Sequence, residues 1–119
     1  MEKENIILKL TFEFALDIIK YSEFLENKKK FVIAKQILKS GTSIGANVRE
    51  AQSAESNSDF IHKIKIAAKE AKETEYWLLL CNASENYPSN DGLIEKINVI
   101  NKIFSKIIST SKNNQLIGK

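Results

Sequence analysis

The chain contains one proline, four glycines and one cysteine among 119 residues. An all-β protein needs many turns built on glycine and proline, so this composition argues against that class. A single cysteine excludes an internal disulfide and fits a reducing compartment, so we expect a cytoplasmic protein. No apolar run approaches the roughly 20 residues that cross a bilayer, and the N-terminal segment lacks a signal-peptide pattern, so we expect no membrane association.

The sequence also lacks a recognisable constellation of catalytic or metal-binding residues. The one histidine, His62, follows Asp59 by three positions, whereas a di-metal site in a helical bundle needs two Glu-x-x-His pairs and two further carboxylates. Cys81 lies on an apolar stripe, so we expect a buried, unreactive thiol. The Gly41–Gly45 segment lacks the Gly-Lys-Ser/Thr ending of a phosphate loop. The sequence therefore predicts no catalytic residue, no metal site, no cofactor and no enzymatic activity.

Apolar residues recur at steps of three and four in four segments, which is the spacing of one face of an α-helix. The predicted helices run from about Glu4 to Glu26, from Phe31 to Ser53, from a Ser56-x-x-Asp59 capping box to Cys81, and onward from Leu93. The short links favour an all-α fold, an antiparallel up-down four-helix bundle. We expect one domain over residues 1–112 and a flexible C-terminal tail over residues 113–119.

A second set of apolar residues lies outside the core stripes of helices 1 and 3. A helix that is apolar on two sides must be buried on two sides, so we expect copies of the chain to contact one another as a homo-oligomer. A wide core that absorbs this set is the alternative. The predicted contact residues are Leu8, Phe12, Leu16, Ile19, Ile66, Trp77 and Leu80.

The segment after residue 40 places small and polar residues inside a helix. Gly41 and Gly45 form a G-x-x-x-G pattern, which predicts that two helices approach closely. Arg49, the only arginine, is expected to pair with Glu70 or Glu73 across a helix–helix contact, because arginine binds carboxylates bidentately; a solvated surface arginine is the alternative. The predicted structural polar network consists of Asn47, Arg49, Glu50, Glu70 and Glu73.

Lysine supplies 17 of the 18 basic residues, and the net charge is +3. Repeated lysines on outer helix faces can bind phosphate backbones, so we expect the oligomer to bind RNA or DNA. Exposed lysines also merely solvate helix surfaces, which leaves a protein–protein adaptor without nucleic-acid binding as the alternative. The candidate nucleic-acid-binding residues are Lys28, Lys29, Lys30, Lys35, Lys39, Lys65, Lys69 and Lys72.

Two blocks of the sequence resemble a known family of four-helix-bundle proteins. The matching residues are Gln36, Ser40 to Asn47 (SGTSIGAN), Arg49-Glu50-Ala51, Asp59-Phe60 and Ile66 to Leu78 (IAAKEAKETEYWL). The family includes the proteins encoded by intervening sequences of bacterial 23S rRNA genes. The resemblance implies an antiparallel bundle that assembles as a ring, most often a pentamer, without enzymatic activity.

A related branch contains the accessory variability proteins of diversity-generating retroelements. Such proteins bind nucleic acid and a reverse transcriptase through a similar ring. The present sequence has Asn-Val-Arg-Glu-Ala over residues 47–51, where the rRNA-associated branch favours Asn-Ile-Ala-Glu-Gly. It also has Lys69-Glu70 where that branch favours Gly-Ser.

Overall fold

The computed structural model describes residues 5–116, with side chains described for residues 5–111. It contains the helices α1 (Ile6–Asn27), α2 (Phe31–Ala51), α3 (Asn57–Ala83) and α4 (Asp91–Leu116), and the described residues include no strand. The predicted all-α fold is therefore confirmed. Glu4, the predicted start of the first helix, lies outside the described residues.

The end of α4 differs from the expected domain boundary. The helix continues to Leu116, so residues 113–116 of the expected tail are helical. Residues 117–119 lie outside the described part of the chain. The apolar pattern weakens after Ile108, which is why the sequence placed the boundary earlier.

The helices form an up-down bundle. Each helix packs against the next one in sequence, and α4 returns to pack against α1, whereas the diagonal pairs α1/α3 and α2/α4 make no close backbone contact. This is the arrangement expected when short links join antiparallel helices. The bundle therefore has four side faces, and each face lies between two neighbouring helices.

The core follows the predicted helical stripes. Burial of each large apolar side chain contributes roughly 1.5–3 kcal/mol, so one continuous stripe per helix can hold the bundle together. Two hydroxyls complete this core: the Thr74 oxygen lies 2.8 Å from the Ser40 oxygen and 2.8 Å from the carbonyl oxygen of Glu70. The largest fully buried residues include Phe14, Ile18, Leu25, Ile37, Ile44, Ile64, Leu78, Ile97, Ile100 and Phe104.

The G-x-x-x-G pattern marks the contact between α2 and α1. A Cβ atom on Gly41 would lie 2.8 Å from Cγ2 of Ile18, and one on Gly45 would lie 3.2 Å from the carbonyl oxygen of Thr11. At both positions an added methyl group would lie closer than ordinary van der Waals contact, so larger residues do not fit without movement. The predicted close approach is confirmed, and the partner helix belongs to the same subunit.

The start of α3 confirms the predicted capping box, although one of its two hydrogen bonds has a different donor from the expected one. The Ser56 hydroxyl accepts a hydrogen bond from the backbone N–H of Asp59 at 3.0 Å. The Asp59 carboxylate accepts from the backbone N–H of Glu55 at 3.2 Å, one residue before the expected donor. The reciprocal bond therefore orients the chain just ahead of the helix.

The end of α1 has an unusual residue in a common motif. The N–H of Lys29 donates to the carbonyl oxygen of Glu26 at 2.8 Å, and the N–H of Lys30 donates to that of Leu25 at 2.9 Å. This pair of bonds is the Schellman motif, whose left-handed position usually carries glycine. Here that position is Lys29, with a φ of 64°, so a lysine occupies backbone geometry that strains side-chain-bearing residues.

Candidate assembly and nucleic-acid surfaces

The outer side of α1 carries an exposed apolar stripe. Phe12 is 55% exposed, and Leu16 and Ile19 are also exposed. Leu8 is half-buried and packs against the core. Since the bundle core does not absorb Phe12, Leu16 and Ile19, these residues remain available for a second surface. Contact between copies stays a prediction.

Small residues of α2 lie beside this stripe, and the two sets of residues line a groove between α1 and α2. The groove encloses a cavity of about 130 Å³. Arg49 lies at its edge and is exposed. The small-residue segment of α2 was the sequence signal for this groove. The sequence could not show which apolar residues of α1 lie beside that segment. We call this surface the α1/α2 groove; its lining residues are Leu8, Phe12, Ala15, Thr42, Gly45, Ala46 and Arg49.

The outer side of α3 carries the second predicted contact set. Ile66 and Trp77 are half-buried, and Leu80 is exposed. The indole N–H of Trp77 donates to the carboxylate of Glu73 at 3.2 Å, which fixes the ring beside an acidic side chain. We call Ile66, Glu70, Glu73, Trp77 and Leu80 the α3 surface.

Two exposed residues next to the α3 surface were missed by sequence reasoning. Tyr76 and Leu79 both have about half of their surface exposed. The rings of Tyr76 and Trp77 have centroids 5.6 Å apart and are tilted by 56°. The aromatic–leucine block at residues 76–80 was the available signal, because one helix cannot bury five consecutive large apolar residues on a single face.

The predicted polar network divides into separate contacts. The Asn47 side-chain amide donates to the carbonyl oxygen of Ser43 at 2.9 Å, within α2. Glu50 instead forms an ion pair of 3.1 Å with Lys63 of α3. Neither residue joins Arg49 to the glutamates of α3.

Arg49 does not meet Glu70 or Glu73 within one subunit. The register of α2 on α3 is fixed by Ser40 facing Thr74 and by Glu50 facing Lys63. Position 49 therefore lies opposite about residue 64 of α3. Since a helix rises 1.5 Å per residue, Glu70 lies about 9 Å further along α3. The expected ion pair is thus not formed inside the subunit, because the sequence does not reveal the register of the two helices.

Glu70 and Glu73 form no ion pair among the described side chains. Partial burial and then the neighbouring Glu73 raise the pKa of Glu70, while the ammonium group of Lys39 acts in the opposite direction. A raised carboxyl pKa means that this position disfavours the charged form. A cation beside Glu70 and Glu73 would therefore find an electrostatically favourable site.

The candidate lysines are mostly free of acidic partners. Within the described side chains, seven of the eight form no ion pair, and the pair between Lys72 and Glu75 is 3.9 Å long. Lys72 is also 72% exposed, so that pair holds its charge weakly. All eight are exposed except Lys30, which is half-buried. Their charges are therefore accessible to a polyanion.

The lysines form separate patches. Lys28 to Lys30 lie at the end of the bundle where α1 stops, whereas Lys65 lies in the third turn of α3, towards the other end. Glu70 lies at the edge of the α3 surface next to α2, where Lys39 acts on it, and Glu73 is exposed. A single subunit thus offers basic groups at two separate places, one at each end of the bundle.

The patch at the end of α1 combines cations with aromatic rings, of which Phe24 is exposed and Tyr87 is half-buried. The ammonium nitrogen of Lys28 lies 5.9 Å from the ring centroid of Phe24, and that of Lys30 lies 4.7 Å from the ring centroid of Tyr87. Phe31 is 60% exposed beside them. Sequence reasoning identified the lysines and missed the rings, because the apolar pattern assigns no outward face to residues next to a link.

A buried polar cluster links the α3–α4 turn to α1. The Tyr21 hydroxyl donates to the carbonyl oxygen of Pro88 at 2.8 Å. The Asn90 amide donates to the Tyr21 oxygen at 3.2 Å and to the carbonyl oxygen of Leu78 at 3.0 Å. Burial raises the pKa of Tyr21 and also that of the nearby Cys81 thiol. The predicted burial of Cys81 is confirmed.

His62 is exposed on α3, as its position outside the apolar stripe predicts. The described side chains contain no group of three or more histidine, cysteine or acidic residues placed to hold a metal ion. Among residues 5–116, no helix has the length and apolar character required to cross a membrane.

The comparisons with known proteins agree with the fold. A family model described as 23S rRNA-intervening sequence protein matches residues 3–109. A crystal structure from Bacteroides thetaiotaomicron VPI-5482, described as a protein with unknown function from the S23 ribosomal protein family, is similar to this chain. Its sequence identity is 47% and its TM-score is 0.81, over 86% of this chain and 97% of that chain. Curated proteins gave no match.

Proposed function

Because the chain belongs to the 23S rRNA-intervening sequence protein family, we propose that it is a non-enzymatic bundle that assembles as a ring and binds RNA or DNA. The observation that carries this proposal is the set of exposed lysines without ion pairs among the described side chains. The burial of Cys81, which raises the pKa of its thiol, supports a role without thiol catalysis.

Two different apolar surfaces support the assembly. The α1/α2 groove and the α3 surface lie on different sides of the bundle and have different residues. A contact between two unlike surfaces repeats from copy to copy, and it closes as a ring when the rotation fits. Five subunits is the number that the family resemblance implies. A ring would bring several copies of each basic patch together and multiply the net charge of +3.

The nucleic-acid contact should depend on charge. Lysines that neutralise phosphates release counterions, so affinity falls steeply as salt rises. The test is fluorescence anisotropy with labelled single-stranded RNA, duplex RNA and DNA of equal length, over a range of salt concentrations. We expect binding that weakens by an order of magnitude or more between about 50 and 200 mM salt, and preference among the three probes identifies the ligand.

Matched variants separate specific lysines from total charge. Lys65→Glu combined with Lys69→Glu should abolish binding, whereas Lys102→Glu combined with Lys106→Glu changes the net charge equally on exposed positions of α4 and should retain most of it. Equal losses of affinity in the two double variants would mean that binding depends on total charge and not on Lys65 and Lys69. No binding of any probe at low salt would overturn the nucleic-acid part of the proposal.

An adaptor without nucleic-acid binding is the second candidate, and one observation favours it. Phe31 and Val32 are 60% and 79% exposed at one end of the bundle, which is apolar surface that a protein partner could cover. The test is affinity capture after nuclease treatment. A protein retained by the wild type and lost with Phe31→Ser and Val32→Ser would support this candidate.

A further inference from the structure

We propose that the α1/α2 groove of one subunit binds the α3 surface of a second copy, with Arg49 pairing with Glu70 and Glu73 of that copy. This inference rests on the assembly proposed above, and it identifies the two surfaces and the ion pair that hold neighbouring subunits together.

The groove has the composition of a contact surface. Its apolar part is formed by Phe12, which is exposed, and by Leu8, which is half-buried. Small residues of α2, including Gly45 and Ala46, leave room for large side chains of a neighbour. The cavity of about 130 Å³ is large enough for part of an aromatic or leucine side chain. Arg49 adds one positive charge at the edge.

The α3 surface has the matching composition. Trp77 offers a large ring that its own bundle buries only in part, and tryptophan is enriched among the residues that dominate interfaces. Its indole N–H donates to the Glu73 carboxylate at 3.2 Å, so the ring lies next to the acidic side chain. Neither Glu70 nor Glu73 beside it forms an ion pair among the described side chains.

Charge and register together select a second copy as the occupant. Arg49 has no ion pair among the described side chains, and the α2–α3 register keeps it away from Glu70 and Glu73 of its own chain. An arginine can bind two carboxylate oxygens at once, which a lysine in the same place cannot do. A neighbouring copy therefore supplies the partner that the subunit itself cannot.

Charge reversal tests this contact. Arg49→Glu places like charges opposite each other, and so does the double change Glu70→Lys with Glu73→Lys. Each variant should associate at least tenfold more weakly than the wild type, because like-charge contacts oppose docking. Analytical ultracentrifugation over a range of concentrations measures the effect. Lys102→Glu, which reverses an exposed charge on α4, should leave association unchanged, and circular dichroism checks that all variants fold.

Two rescue experiments make the test specific. The triple variant R49E/E70K/E73K should associate again, since the charges are exchanged and still opposite. An equal mixture of R49E and E70K/E73K should also associate more tightly than either variant alone, because each variant can bind only the other. A closed ring of five cannot alternate the two variants at every contact, so the mixture should stay weaker than the triple variant. Weakening without rescue in both experiments would overturn the pairing.

The outcomes also separate this inference from the assembly itself. If R49E forms the same oligomer as the wild type with the same affinity, the ion pair is wrong and the assembly stands. If the wild type is a monomer at every concentration, the proposed assembly is wrong and the contact falls with it.

Discussion

The two sides of α1 have the same chemistry and opposite surroundings. Phe14 on the inner side is 1% exposed, whereas Phe12 on the outer side is 55% exposed; Ile18 and Ile19 repeat the contrast at 0% and 39%. Residue type alone therefore does not decide burial in this protein. The inner residues stabilise the subunit, and the outer residues are the ones that we propose to contact another copy.

The largest expected effect separates these two sides directly. Phe14→Ala leaves a cavity in a packed core and should reduce the free energy of unfolding by about 3–5 kcal/mol. Phe12→Ala should reduce it only at subunit concentrations where the wild type is oligomeric, because binding between copies stabilises the folded form by mass action. Urea denaturation at several concentrations, followed by circular dichroism, measures both. Equal, concentration-independent losses would remove the distinction between the two sides.

A second prediction concerns how tightly the inner side of α1 is filled. Gly41→Ala should destabilise the protein by about 1–3 kcal/mol, because the new methyl group meets the fully buried Ile18. Gly92 is the matched control, since nothing lies within 4 Å of its position for a Cβ. Gly92→Ala should stabilise α4 by up to about 1 kcal/mol. Thermal denaturation compares them, and a Gly41→Ala variant as stable as the wild type would show that α1 and α2 can move apart freely.

A third prediction concerns the polar part of the inner side. Tyr21→Phe removes the hydroxyl that bonds to Pro88 and Asn90, and it should cost about 1–2 kcal/mol. Tyr76→Phe, at an exposed tyrosine, should change the free energy of unfolding by less than about 0.5 kcal/mol. Chemical denaturation of both variants gives the comparison. A similar small change in each would mean that the cluster contributes nothing to stability.

The smallest expected effect lies at the end of α1. Lys29→Gly should stabilise the subunit by about 0.5–1 kcal/mol, because glycine adopts the left-handed conformation without strain. Lys28, with a φ of −94°, has no such strain, so Lys28→Gly should not stabilise. Melting temperatures at one concentration decide between them. If Lys29→Gly also weakens nucleic-acid binding, the strained lysine is retained for its charge; a lower melting temperature for Lys29→Gly would contradict the strain argument.

The helices and the close α2 contact could be predicted from the sequence because they depend on local spacing. Steps of three and four identified residues such as Ile37 and Ala71 as buried, and the spacing of Gly41 and Gly45 indicated a close approach. Sequence spacing could not show that α1 is the helix approached. That choice depends on which side chains face each other after the bundle forms.

Contacts between residues that are distant in the sequence could not be predicted. Tyr21 and Asn90 are separated by 69 positions, and no local pattern connects them. The register that separates Arg49 from Glu70 and Glu73 depends on the length of the link between α2 and α3. A link that shifted α3 by one helical turn would change which residues face each other. The same holds for the candidate surfaces. Their residues could be identified from the sequence, but the arrangement of the lysines in separate patches could not be predicted.

The order of helix contacts has a consequence for how the chain forms. Three of the four contacts join helices adjacent in sequence, and only the contact between α1 and α4 joins the two ends. Proteins dominated by such local contacts fold within microseconds to milliseconds. During synthesis the first three helices can pair as they emerge, whereas the side of α1 that faces α4 stays open to water until α4 is made. Premature termination within α4 would therefore leave an aggregation-prone product.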